Sequence, residues 1–308
     1  MKAHLYQLTH STTWHYQSPV AMSHHILRVS PRQLTRQLRI EHTIESDPAP
    51  AGSSKRVDYF GNEVTLLTFE GAHRRLSITS RARVAVRPAF IPEPSETPSW
   101  ESVRALCRID HSTAALEAIE FTFASPIVGL EPAFAEYARP SFTSGRSLLE
   151  AAIDLTSRIH SDFTFDPTAT SVSTPVLEVL EKRRGVCQDF AHFQLGCLRS
   201  LGLPARYVSG YLETIPPPGK ERLTGADASH AWVSLFCPGI GWIDLDPTND
   251  CLPSMRHITT AWGRDYSDVS PARGVLVGSG EHTVTVAVDV EPLGSVRLPS
   301  TVGQPIVD

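Results

Sequence analysis

"GVCQDFAHFQLGCLRSLGLPARYVSGY" spans residues 185–211 and decides how the chain is read. A Gly-Val pair leads into Cys187, which falls at or near the first turn of a helix. Phe190, Ala191, Gln194, Cys197, Leu198 and Leu201 share one face with it at spacings of three and four. "LGLP" closes the helix at Gly202 and Pro204, and "ARYVSGY" continues as a strand. A cysteine in a helix is usually a small core residue. At a helix N-terminus, however, unpaired N–H groups and the dipole favour a thiolate. The Cys187 N–H can also point toward an oxyanion. Gly185 is expected to adopt backbone angles closed to other residues. Arg183 and Arg184 are expected to add positive charge.

A cysteine nucleophile needs a base, and the base needs an orienting group. The chain has 13 histidines, so position alone does not choose among them. His192 is five residues past Cys187 and points about 140° away on a helix, which argues against it. His230, in "DASHAWVSLF", stands at the mouth of a strongly apolar strand. The turn "CPGIG" then leads into "GWIDLDPTND", so the two strands read as antiparallel neighbours. This brings His230 near Asp246. Asp244 falls on the same face by period two, and spacing leaves the choice between them open.

The flanking sequence divides in the same way. Residues 1–92 read as a β-rich region, with "VDYFGNEVTLLTF" as a hairpin turning at Gly61-Asn62. "PAFIPEPSETPSW" is a linker by its prolines. Residues 93–270 mix helical periodicity with strands. In "STPVLEVLEKRRG", Thr174 can cap, Pro175 fits the first helical position and Gly185 lies past the end. Residues 271–308 carry further strands and a tail expected to fray. The fold class is α+β.

A net charge of −5 gives no reason to expect a nucleic-acid partner. The four arginines of "RVSPRQLTRQLR", Arg28 to Arg39, read as a solvated surface segment. No apolar run reaches membrane-span length, and the N-terminus lacks a signal peptide's apolar core. Cys107, Cys187, Cys197, Cys237 and Cys251 are odd in number and irregular in spacing, which fits reduced thiols in a cytoplasm. Cys237, Cys251 and His257 lack paired zinc-ligand spacing, so no metal is expected. "DLDPTNDCLPSM" has Asn249 and Met255 where a calcium loop needs glycine and glutamate. No cofactor motif is present. Asp189 and Gln188 suit the dipole and can also line the cleft, while Trp232 and Cys197 read as core. His15, His24 and His25 read as surface or strand residues of the β-rich region.

"GVCQDFAHFQLGCLRSLGLPARYVSGY", "HAWVSLF" and "GWIDLDPT", in that order, resemble the transglutaminase-like core. "LTHSTTWHYQSPV", "HILRVSPR" and "RDYSDVSPARGVLVG" are similar to the flanking regions of bacterial members. The resemblance implies a papain-like fold, with a cysteine-bearing helix on an antiparallel sheet that carries histidine and aspartate. It also implies the triad Cys187, His230 and Asp246, and so selects Asp246 over Asp244. The expected activity is attack on an amide bond of a protein or peptide, through a thioester released by water. Transfer to an amine is the alternative, as is a binding module that keeps the fold. Animal relatives use an upstream tryptophan as second oxyanion donor. This chain has none between Trp100 and Trp232, so that donor is left unassigned.

Overall fold

A computed structural model describes residues 2–215, 229–278 and 280–297. Four strands come first: β1 (Lys2–Leu27), β2 (Gln37–Asp47), β3 (Gly52–Val57) and β4 (Glu63–Val86). Helices α1 (Trp100–Ile109), α2 (Thr113–Ile119), α3 (Pro132–Ala138) and α4 (Leu148–Asp162) follow. Next are the short strand β5 (Thr164–Phe165), α5 (Val176–Lys182), the short strand β6 (Arg184–Gly185) and α6 (Cys187–Ser200). A meander β7 (Ala205–Leu212), β8 (Ser229–Cys237), β9 (Gly241–Leu245) and β10 (His257–Gly263) completes the core. The chain ends in α7 (Tyr266–Val269), β11 (Ala272–Val277) and β12 (His282–Arg297). No helix among the described residues is long and apolar enough to cross a membrane.

The core sheet is antiparallel in the order β10-β7-β8-β9. The turn between β8 and β9 is tight, with Gly239 and Gly241 at positive φ, the conformation that favours glycine there. Helix α6 lies against β7 and β8. Its Phe190, Ala191, Phe193, Cys197 and Leu198 are buried with Ala205, Tyr207, Val233 and Leu235 in the largest hydrophobic cluster. Phe190, Ala191, Cys197 and Leu198 belong to the face whose spacing predicted the helix, and Phe193 adds to it.

The first four strands and the last two form a second sheet around β1. β1 pairs with β4 along most of its length, with β12 at its start and with β11 at its end. Pro292–Arg297, expected to fray, instead pair with Lys2–Tyr6. Their backbone groups gain ladder partners that a loose tail would forgo. The rest of the tail lies outside the described residues, as does most of "TIPPPGK" (214–220), whose composition reads as a surface loop.

The two sheets share a hydrophobic cluster. Tyr6, Leu8 and Val84 from one meet Tyr211 and Ile258 from the other. His10 Nδ1 lies 2.8 Å from the Tyr211 hydroxyl, and the Tyr6 hydroxyl donates to Glu213 at 2.8 Å. Gln37 fastens them further, donating to the Thr259 carbonyl at 2.7 Å and accepting from its N–H at 2.8 Å.

The Arg28–Arg39 segment is not a solvated surface stretch. Arg28 pairs with Asp58, Arg36 with Asp244 and Arg39 with Glu63, each at 3.0 Å. Arg32 stacks on Trp262 at 3.4 Å. Each arginine has a partner distant in sequence, and the segment fastens the N-terminal sheet to the core.

Candidate active site

Cys187 is the first residue of α6 and half-buried. The turn before it is built around Asp189. The Asp189 carboxylate accepts from the Val186 N–H at 2.8 Å and from the Thr170 hydroxyl at 2.6 Å. Asp189 is therefore buried inside the turn, where burial raises its pKa, rather than lining an open cleft. Gly185 is needed for space and not for unusual angles, since its φ is not positive. A Cβ there would stand 2.5 Å from Asp189 Oδ2 and 2.8 Å from Asp189 Cβ. The left-handed residue is Arg183, which caps α5 at φ 53°. Val176 begins that helix and Pro175 caps it, so the start falls one residue later than predicted. Arg183 and Arg184 do not lend free charge, because they pair with Asp162 and Asp166 at 3.2 and 3.4 Å.

The N–H groups of Cys187 and Gln188 find no partner among the described residues. They face whatever occupies the space above the helix N-terminus, which is how such termini hold anions.

His230, at the start of β8, is buried with its Nε2 2.7 Å from Asp246 Oδ2. The other ring nitrogen, Nδ1, is left for Cys187. Burial by itself would lower the His230 pKa. Hydrogen bonds to Asp246 and Cys187, with the negative charge of both, outweigh it and raise the pKa to about 10. Imidazole and carboxylate are thus bonded to each other, and Cys187 is close enough for its charge to act on the ring.

Asp246 lies just past β9, where the chain loops and returns to pair with Cys251. Its Oδ1 accepts from the backbone N–H groups of Thr248 at 2.9 Å and Asn249 at 3.2 Å. Its Oδ2 accepts from His230, from Asn249 Nδ2 at 2.7 Å and from His257 Nε2 at 3.0 Å. Burial opposes the charge of this carboxylate, but five donors outweigh that and hold it well below the usual carboxylate range. Asp244 parts from it and reaches Arg36 instead.

Sequence reasoning missed Asn249 and His257 as partners of Asp246. His257 opens the strand "HITTAWG" as His230 opens "HAWVSLF", and that likeness was the available signal. Burial lowers the His257 pKa more than Asp246 raises it, so it is neutral and acts as a donor. His230, Asp246 and His257 offer three metal-ligand atoms within 4.8 Å of one another. The two nitrogens, however, share one oxygen at hydrogen-bond distances rather than surrounding a centre.

The remaining candidates are structural. His192 is buried, stacks on Tyr207 at 4.9 Å and accepts from the Tyr266 N–H at 3.1 Å. Cys197 and Trp232 are wholly buried. His25 is buried on β1. Cys237 lies near Cys107 in the core, away from His257. Tyr207, buried at the centre of β7, has its pKa pushed well up by burial and then by the charge of Cys187. Its hydroxyl therefore keeps its proton beside the sulfur's field.

The profile of the transglutaminase-like superfamily matches residues 135–247, which contain all three groups. That of the bacterial transglutaminase-like N-terminal region matches residues 6–85. An uncharacterised Mycobacterium tuberculosis protein is 42% identical over 298 residues, 94% of this chain and 93% of the other. A protein-glutamine gamma-glutamyltransferase of Pseudomonas aeruginosa is 30% identical over 122 residues, 39% of this chain and 18% of its own. Among solved structures, a candidate cysteine protease of Cytophaga hutchinsonii superimposes with a TM-score of 0.73 at 19% identity, covering 97% of this chain and 94% of that one.

Proposed function

The chain belongs to the transglutaminase-like superfamily, and from that premise we propose that it is a thiol enzyme cleaving amide bonds of a protein or peptide. The observation that carries the reading is a buried imidazole whose Nε2 lies 2.7 Å from Asp246 Oδ2 and on which the charge of Cys187 acts.

In the proposed cycle Cys187 and His230 form a thiolate–imidazolium pair, with Asp246 fixing the ring. The thiolate attacks the carbonyl carbon, and the oxyanion is held by the Cys187 N–H. The C–N bond breaks as His230 gives its Nδ1 proton to the leaving amine, and a thioester remains. Water then gives its proton to His230 and attacks the thioester. The acid departs and the thiolate is restored. We assign the second oxyanion donor to the protonated Tyr207 hydroxyl. Tyr207→Phe is expected to lower kcat by roughly 10²-fold with KM little changed. Steady-state kinetics would check this, and an unchanged kcat would remove the assignment.

The partial likeness to a protein-glutamine gamma-glutamyltransferase supports a second reading, in which an amine takes the acyl group. Incubation with glutamine-containing peptides, with and without a fluorescent amine, separates the two. Backbone cleavage or ammonia release without amine incorporation supports hydrolysis, and incorporation supports transfer. None of these products from a folded protein would sink both. The five unpaired cysteines support a reducing compartment as the site of action.

A further inference from the structure

Two buried arginines, seven positions apart in sequence, flank the start of β7 and differ in how they are satisfied. Arg199 is buried and fully used. Its Nε and Nη2 donate to the Ala205 carbonyl at 3.0 and 2.8 Å, its Nη2 also to the Arg264 carbonyl at 2.5 Å, and its Nη1 to Ser125 at 3.3 Å. Arg206 is 9% exposed and makes no hydrogen bond or ion pair among the described residues. It is held only by rings, with its guanidinium 4.1 Å from the centre of Trp242 and 3.7 Å from that of Trp262. A guanidinium carries five donors and no acceptor, and buried charges are as a rule paired. Stacking satisfies its faces and leaves its edge without a partner.

Arg206 borders a cavity of about 540 Å³, lined also by Arg36, Arg87, Phe90, Ile240, Trp242 and Asp244. Arg36 is matched there by Asp244. Arg206 feels the charge of Asp244 and, less, of Glu117, but neither carboxylate bonds it, so its donors stay without an acceptor. Arg206 also borders a second cavity, on the side of Arg32, where Glu117 and Glu120 balance the two arginines and leave no surplus of positive charge. Successive residues of a strand face opposite ways. Arg206 and its cavity thus lie behind the sheet, away from Tyr207 and Cys187.

We propose that this cavity is a binding site for a carboxylate carried on an apolar body. The planar edge of one guanidinium matches the two oxygens of one carboxylate. Phe90, Ile240 and Trp242 supply the apolar walls, and the volume suits a small organic molecule or about one or two peptide residues. A phosphate dianion would require more than one unmatched cation. The site stands independently of the chemistry proposed for Cys187.

Calorimetric titration of the full chain with N-acetylphenylalanine, its carboxamide and inorganic phosphate tests it. The acid is expected to bind, the amide at least tenfold more weakly and phosphate not measurably. Arg206→Met should abolish acid binding. Ile240→Trp, at an exposed position in the wall, should block it with Arg206 in place, and so decides the matter if the first variant fails to fold. Equal binding of acid and amide, binding of phosphate alone, no binding of the acid, or acid binding that survives Ile240→Trp would overturn the proposal.

Discussion

Asp246→Asn is expected to lower turnover by roughly 10⁴-fold while leaving Cys187 in place. Asparagine has nearly the shape of aspartate, but its amide carries two hydrogens on one side. One side of Asp246 receives two backbone N–H groups and the other receives His230, Asn249 and His257. A single amide oxygen can serve only one of these sides. The other then opposes donors to donors in a buried space. His230 can relieve the clash by moving its proton to Nδ1, and it then loses the acceptor that faces the sulfur. Asp246→Ala removes both acceptors and is expected to cost roughly 3–5 kcal/mol of stability. Denaturant unfolding would measure that loss, and steady-state kinetics the first.

The linked pH dependence has a definite sign. The His230 pKa is raised from 6.5 to about 10, so its contribution to stability is complete below about 6.5 and is lost as pH rises through about 10. The Asp246 pKa is lowered, so its contribution is present above its unfolded value and is lost as pH falls through the folded one. The wild type should therefore hold this stabilisation across the neutral range. The Asp246 variants should show a flatter alkaline limb near pH 10.

Cys187→Ala is the second change with a large expected effect. It removes the atom acylated in the proposed cycle, and turnover should fall by roughly 10⁴-fold or more, to the uncatalysed background. The fold should survive, because Cys187 is half-buried and alanine suits the first turn of a helix. Peptide turnover and a circular dichroism spectrum would check both statements. A sibling substitution at Cys251, the other half-buried thiol, should leave turnover near wild type and so controls for general thiol effects.

Local chemistry made the placement of much of the candidate site legible in the sequence. Cys187 announced itself through the Gly-Val turn and the apolar face of α6, and His230 through the strand it opens. Period two left Asp244 and Asp246 level because alternation holds only inside a strand. Asp246 lies beyond β9, where the loop back to Cys251 re-aims it. His257 was illegible because its role depends on β10 lying beside β7, a pairing no local pattern reports. The arginines of residues 28–39 misled for the same reason. An arginine reads as surface until its partner is known, and Asp244 is far from Arg36 in sequence. Gly185 misled differently: a glycine can be required for room or for angles, and only the position of Asp189 distinguishes them.

The most direct test of the central claim is the intact mass of the protein after brief reaction with an activated acyl ester, followed by peptide mapping. One acyl group on Cys187, released by hydroxylamine and missing from His230→Ala, is the predicted result. An acyl group on any other cysteine, or one that forms on Cys187 as readily without His230, would contradict it.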